Sequence, residues 1–373
     1  MLVSEIDVID LVPHGRREII VGDKFTSPAD IGYVIFESNS DAVIGYTKFY
    51  VEGQYRVAIP AIPDSEINTG DIYILHIASG GDTYPWHTGV SILNTTSLPK
   101  TLTIEFDNSE TKTVELLANE HKAFTIRSLF GGAAQPGIES GVIKDASGVI
   151  GLELFTNNDL NWMGGILLKD DTATNIYYPH TASEDGWKTG IVAYNPSDID
   201  CTIIITPYSA AGDALTPATD TIVAKAKYIG VVSALGLPAD TAWLQIEATS
   251  PITGFELFSR TDQLGGYTGV GISGTTGVFA KLEKDGATGI AFVNIENSLA
   301  VVTLTAYDDS GAVIATEEIN LNAHEKVVDR AENIFTEGIS FATYIAYSSN
   351  KEVVGFQLNT SSDFMMLDGL PGM

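Results

Sequence analysis

Histidine is scarce in this chain, with six in all, so each one is a candidate for chemistry. Two of them sit in matching surroundings. His76, Asp82, Trp86 and His87 form one cluster, and His180, Asp185 and Trp187 form another. An aromatic face flanked by polar groups suits a sugar, which stacks on the ring and is fixed by hydrogen bonds. His with Asp also suits a transition metal. The competing reading is structural: Trp covers the end of a sandwich and His closes a strand. These seven residues are the candidate ligand-binding set. No residue is assigned a catalytic role and none a metal-ligand role. His14, His121 and His324 align with one another in turns, and their recurrence points to structure rather than catalysis.

The carboxylates fall mainly in turns, as in Asp170-Asp171, Glu184-Asp185, Asp198 with Asp200, and Asp308-Asp309. Glycoside hydrolysis needs two carboxylates held across a cleft, and none of these stands in a recognisable catalytic motif. Asp308-Asp-Ser-Gly311 resembles the start of a calcium loop but lacks the downstream ligands of an EF-hand. Gly-x-Ser-x-Gly, Walker A and His-Glu-x-x-His motifs are absent. Gly269-Val-Gly-Ile-Ser-Gly274 follows a strand and opens no helix, which removes the phosphate-loop reading. Asn94 and Asn359 fit the glycosylation sequon, although a turn role explains them as well. No cofactor is expected; calcium is the one ion the carboxylates would suit.

The elements that position these residues follow from an internal repeat. Val43-Ile-Gly45, Val149-Ile-Gly151, Ile252-Thr-Gly254 and Val353-Val-Gly355 align on their glycines at intervals of about 100 residues, the size of one small sandwich. Thr88-Gly89, Thr189-Gly190 and Thr288-Gly289 each open an apolar run ending in Asn94, Asn195 or Asn294. One unit reads as short strands at 175–179, 188–194, 200–208, 219–224 and 227–232. A short helical piece follows near Ser233, then a hairpin around Thr249-Ser-Pro251 and a last strand near 267–272. Gly, Asn, Asp and Pro supply the turns.

The expected fold is all-β: tandem antiparallel β-sandwich (Ig-like) repeats at 73–168, 175–273 and 277–373, preceded by residues 1–65, which match only the second half of a repeat. A seven-bladed β-propeller is the alternative, with each half-repeat taken as a blade. The missing half would leave a core face and strand edges open. Strands of another subunit could complete it, as could a longer parent chain.

The pattern Trp187-Lys-Thr-Gly-Ile-Val-Ala-Tyr-Asn-Pro-Ser197, with Pro251-Ile-Thr-Gly-Phe-Glu-Leu-Phe258 downstream, resembles tandem repeats of large secreted bacterial surface proteins. The resemblance covers 73–373 and part of 1–65. It implies an extracellular β-rich architecture and no catalytic residues.

Composition narrows the function further. There are 20 basic against 48 acidic residues, for a net charge of −28. No basic stripe exists to neutralise phosphates, so nucleic acid is not an expected partner. No apolar stretch is long enough to span a membrane as a helix. The single Cys201 can form no intrachain disulfide and reads as a small core hydrophobe. The N-terminal residues have neither the basic nor the apolar region of a signal peptide, so an export signal would lie outside this chain. The expected function is a non-enzymatic structural or adhesive repeat protein, extracellular or on a cell surface. Its partners would be other protein subunits or surface glycans, and strand complementation of the incomplete unit would be its route of assembly. A carbohydrate-binding module built on Trp86 and Trp187 is the second reading, and a glycoside-active enzyme the third.

Overall fold

The computed structural model describes residues 8–80, 86–157, 159–260, 263–268 and 273–372. The fold is all-β, built from antiparallel sheets.

The incomplete unit contains a single-turn helix α1 (Val21–Lys24) and one hairpin, β1 (Tyr46–Val51) and β2 (Tyr55–Pro60). Repeat 1 carries β3 (Ile72–Ile74), β4 (Trp86–Asn94), β5 (Lys100–Phe106), β6 (Thr111–Leu116) and β7 (His121–Thr125). It continues with α2 (Ile126–Leu129), β8 (Gly141–Lys144), β9 (Val149–Asn157) and β10 (Met163–Leu168). Its strands form two four-stranded sheets, ordered β10-β9-β4-β7 and β3-β8-β5-β6. Alternation builds the core: Leu102, Ile104 and Phe106 of β5 point inward and meet Ile72, Ile74, Val90, Ile92 and Ile143. This is a sandwich.

Repeat 2 runs through β11 (Ala173–Tyr178), β12 (Trp187–Tyr194), β13 (Cys201–Tyr208), β14 (Ala218–Ile222), β15 (Lys227–Val231), β16 (Trp243–Arg260) and β17 (Gln263–Thr268). Repeat 3 follows the same order with β18 (Gly274–Phe279), β19 (Gly286–Asn294), β20 (Ala300–Tyr307), β21 (Val313–Leu321) and β22 (Lys326–Arg330). After the turn of helix α3 (Ala331–Ile334) come β23 (Tyr344–Ser361) and β24 (Leu367–Pro371). The sequence predicts a hairpin around Thr249-Ser-Pro251, and here the structure differs. β16 is one continuous strand of 18 residues. Its first half pairs with β11 and β13, and its second half with β12 and β17. It thus passes from one sheet of the sandwich to the other. Pro251 falls at the crossing, where a proline removes no ladder bond. β23 does the same in repeat 3. The described sheets contain no series of seven four-stranded meanders, so the antiparallel strands are those of sandwiches, not of propeller blades.

The recurrent Asn and Thr are structural. Asn94, Asn195 and Asn294 are fully buried. Each side-chain amide donates to the carbonyl four residues on (Leu98, Ile199, Ser298) and to the end of the second strand after it (Leu117, Ile222, Leu321). Each side-chain oxygen accepts the N–H two residues on. Burial of Asn94 and Asn359 removes both from the reach of glycosylation. Thr88, Thr189 and Thr288 receive the N–H of Ala78, Ala182 and Glu283, which ties each repeat's first strand to its second.

The second-half hairpins do more than finish each repeat. β2 lies against β10, β10 against β17, β17 against β24, and β24 against β2. Four units therefore close around one axis. The register aligns Ala58, Gly165, Gly266 and Gly369 at equivalent points of that ring. Their small size is required: a Cβ on Gly266 would stand 2.6 Å from the Gly165 carbonyl oxygen. Gly266→Ala should therefore lower stability by roughly 1–3 kcal/mol through overpacking. Gly338→Ala, where a Cβ meets nothing, should not. Thermal unfolding of both variants checks this, and equal melting temperatures would contradict the ring contact.

Candidate interaction site

The predicted ligand-binding residues divide among different places. Asp82 lies outside the described residues. His76 and His180 sit on the seams between repeats, each beneath a lysine sent by the next repeat. Lys227 donates to His76 Nδ1 at 3.1 Å and to the Glu139 carbonyl at 2.5 Å. Lys326 donates to His180 Nδ1 at 2.7 Å and to the Ala242 carbonyl at 2.7 Å. Burial, with the lysine charge beside it, drives the His76 pKa down to about 3 and that of His180 well below its ordinary value. Both imidazoles are neutral acceptors at physiological pH.

A carboxyl completes each seam. Glu153 is fully buried and accepts the N–H groups of Leu75 and His76. Burial nevertheless raises its pKa to about 8. Glu256 takes the same place in the next seam, where Pro179 replaces Leu75 and offers no N–H. Neither Glu256 oxygen has a hydrogen-bond partner among the described residues, and its pKa is raised well above the usual range. Burial lowers the facing Lys326 to about 7. Burial thus pushes both members of the pair toward their neutral forms. Aromatic rings finish the seams: Phe155 stacks on Phe255 at 5.4 Å and Phe258 on Phe356 at 5.2 Å.

The tryptophans pack beside these seams. Trp86 meets Trp162 at 5.5 Å, and Trp187 lies under Arg260 at 5.7 Å. His87 contacts Arg127 at 3.3 Å. Asp185 occupies a turn with φ of 52°, and its carbonyl accepts from Arg260. His76 and His180 therefore turn inward to lysines, while His87 and Asp185 bond to arginines. Among the described residues no group of three or more His, Cys, Asp or Glu is placed to hold a metal. Asp308 caps its own turn by accepting from the N–H groups of Ser310 and Ala312.

The repeat alignment of the histidines needs one correction. The bonds Asn94–Glu120, Asn195–Ala226 and Asn294–Glu325 fix the register. They set His121 beside Lys227 and Lys326, not beside His324. His324 matches His14, Lys225 and Asn119, all four with φ between 55° and 59°. Only the backbone pairing reveals the two-residue offset.

The third seam joins repeat 3 to the incomplete unit and repeats the same docking. Tyr344 Oη donates to the His14 carbonyl, as Trp243 Nε1 does to that of His324. The Arg16 N–H bonds the Asp309 carbonyl, as the Lys326 N–H bonds that of Ala210. Arg16 thus stands where the seam lysines stand, and its Nε donates to the Ala280 carbonyl at 3.0 Å. Lys281 and Gln357 replace the seam His and Glu. Charge pairs take over the cohesion: Lys48 with Glu283 at 2.6 Å, and Arg56 with the buried Asp368, which also accepts from Asn359. The fourth seam is lighter, with Tyr33 Oη donating to the Asn119 carbonyl and Gly32 against His121.

Beyond these seams the incomplete unit is open. β9 pairs on both sides, with β10 and β4, and β23 pairs with β24 and β19. Among the described residues β1 pairs with β2 alone. The neighbouring apolar side chains are also uncovered. Leu11, Val34, Phe36 and Val43 are 45%, 40%, 63% and 43% exposed, whereas their counterparts Leu321, Ile345, Tyr347 and Val353 are 0%, 0%, 6% and 0% exposed. The sequence of residues 1–65 raises the expectation of an open face; it offers none of the lysine seams, because a lone Lys in a strand carries no signal of burial.

No protein-family model matches the chain, and no curated protein or solved structure is significantly similar to it.

Two predictions test the seams. Between the unfolded carboxyl value of 4.5 and its folded value of about 8, Glu153 binds more protons folded than unfolded. Its contribution is complete below 4.5 and is lost as pH rises toward 8. Glu153→Gln, which copies Gln357, should remove that loss. Wild-type melting temperature should fall relative to the variant between pH 5 and pH 8, and parallel curves would contradict the assignment. Asp368→Ala leaves the buried Arg56 with the more distant Glu283 carboxylate, at 3.6 Å, and should cost up to about 3–5 kcal/mol in urea unfolding.

Proposed function

We propose that this protein is a non-enzymatic structural or adhesive repeat protein that joins other protein subunits through its incomplete unit. The observation that carries the reading is the edge of β1, open among the described residues, beside exposed apolar residues whose counterparts in repeat 3 are buried. An unpaired edge with an apolar flank is a template for strand addition. The remaining features agree. The chain lacks nucleophile, phosphate-loop and metalloprotease motifs, and of its candidate histidines His76 and His180 serve the seams while His87 contacts Arg127. The extracellular or cell-surface setting rests on the resemblance of its repeats to those of secreted bacterial surface proteins. Among the described residues no helix is long and apolar enough to cross a membrane.

Hydrogen exchange on the purified chain tests the reading. The amides of 33–38 and the free-edge amides of 46–51 should exchange fast, and those of 344–361 should be slow. Equal protection of the two segments would mean that the edge is already covered, and the assembly route would fall. Phe36→Asp should leave the melting temperature nearly unchanged, because that side chain is 63% exposed.

A further inference from the structure

We infer that the incomplete unit is a receptor for a three-strand half-repeat of this protein's own type, supplied by another polypeptide and marked by the pattern Thr-Gly-apolar-x-apolar-x-Asn. The inference rests on the proposed assembly role and adds the identity of the partner.

The repeats themselves provide the template. In repeat 3 the face equivalent to Leu11, Val34, Phe36 and Val43 is sealed by β18, β19 and β20. β19 lies antiparallel to the second half of β23, with Gly289 opposite Leu358, Phe292 opposite Gly355 and Asn294 opposite Val353. The incomplete unit retains the glycine and the valine that such a strand meets. Gly45 corresponds to Gly355 and Val43 to Val353. The turn before α1 corresponds to the turn before α3 through His14 and His324, which have φ of 58° and 56°. The strand end that receives the Asn294 amide, Leu321 and Asn322, corresponds to Leu11 and Val12. An incoming Asn would therefore meet the Leu11 and Val12 carbonyls, and the residue after its Thr-Gly would fall opposite Thr47.

The other features agree with a half-repeat rather than a single strand. The first-half elements of a repeat supply three contacts: β18 and β20 along the first half of β23, and β19 along its second half. In the incomplete unit both stretches are open. Residues 33–38 form no strand among the described residues, and β1 is paired on one side. A lone strand on β1 would leave Val34 and Phe36 exposed. The third seam already holds the unit in the pose that repeat 3 has on repeat 2, as shown by the matched Tyr344–His14 and Trp243–His324 bonds. The receptor is thus organised before its partner arrives, which lowers the ordering cost of binding.

The experiment adds the segment 274–309 of this protein, made as a synthetic peptide, to the intact chain. A 1:1 complex is expected by sedimentation and calorimetry. Hydrogen exchange should slow at 33–38 and 43–51, and the peptide Asn294→Ala should bind at least about tenfold more weakly through loss of its amide bonds. Phe36→Asp in the chain should weaken binding to a similar degree, and its nearly unchanged melting temperature shows that folding is intact. Absence of a complex while 33–38 and 46–51 exchange fast would overturn the half-repeat partner and leave the assembly reading standing. A self-complex that protects the same residues and resists competition by the peptide would do likewise, with a second copy as the occupant. Slow exchange of these residues in the monomeric chain alone would overturn both.

Discussion

Repeats 1 and 2 each bury a carboxyl and an imidazole on a flank that they cannot cover by themselves, and the lysine of the next repeat has to reach in and cap them. Lys227 over His76 and Lys326 over His180 are the contacts on which the arrangement of repeats depends. Such a group is costly to bury alone, and it becomes tolerable only when the neighbouring sandwich is seated in one orientation. The apolar stacking of Phe155 on Phe255 and of Phe258 on Phe356 supplies attraction, whereas the polar trio supplies orientation. The repeats are therefore docked against each other and are not loosely strung.

The same docking geometry survives where its chemistry changes. At the third seam Arg16, Lys281 and Gln357 stand in for Lys, His and Glu, and the cohesion moves to Arg56, Asp368, Lys48 and Glu283. Keeping the backbone bonds while replacing the side chains marks the incomplete unit as a fourth member of the ring and not as a tail. Its missing half is the one place where ring geometry and sequence disagree. A face built for strand pairing stands there without strands among the described residues.

Much of this was legible in the sequence, for identifiable reasons. Strand positions in repeat 2 follow the alternation of apolar residues, and the turn residues between them carry their own signature; β12 and β13 fall within a residue of expectation. The Asn of each repeat and its preceding Thr-Gly were visible as markers because every repeat needs the same buried clamp. Pro251 misled, because a proline that ends a hairpin strand and one that sits at a crossing between sheets look alike in a single sequence. The His and Trp residues of the candidate site form a repeated pattern in the sequence, but the meaning of His76 and His180 lies in Lys227 and Lys326, a hundred or more positions away, and separation of that kind leaves no local trace. The offset of His121 from His324 has a similar origin, since a turn position and the strand position two residues after it can carry the same residue type.

The bond between Tyr344 and the His14 carbonyl spans 330 positions of chain, and it has a bearing on how the molecule is made. Long-range contacts form late, because the intervening loop has to be closed before they can be satisfied. During synthesis residues 14–16 leave the ribosome long before β23 exists, so the segment waits with its apolar side chains in water while three sandwiches form behind it. Its sequence carries a counterweight to that exposure: Arg16, Arg17, Glu18, Asp23 and Lys24 are interspersed among the apolar positions. Such charges discourage premature pairing with other nascent chains, which keeps the segment available for a step that only the last repeat can complete.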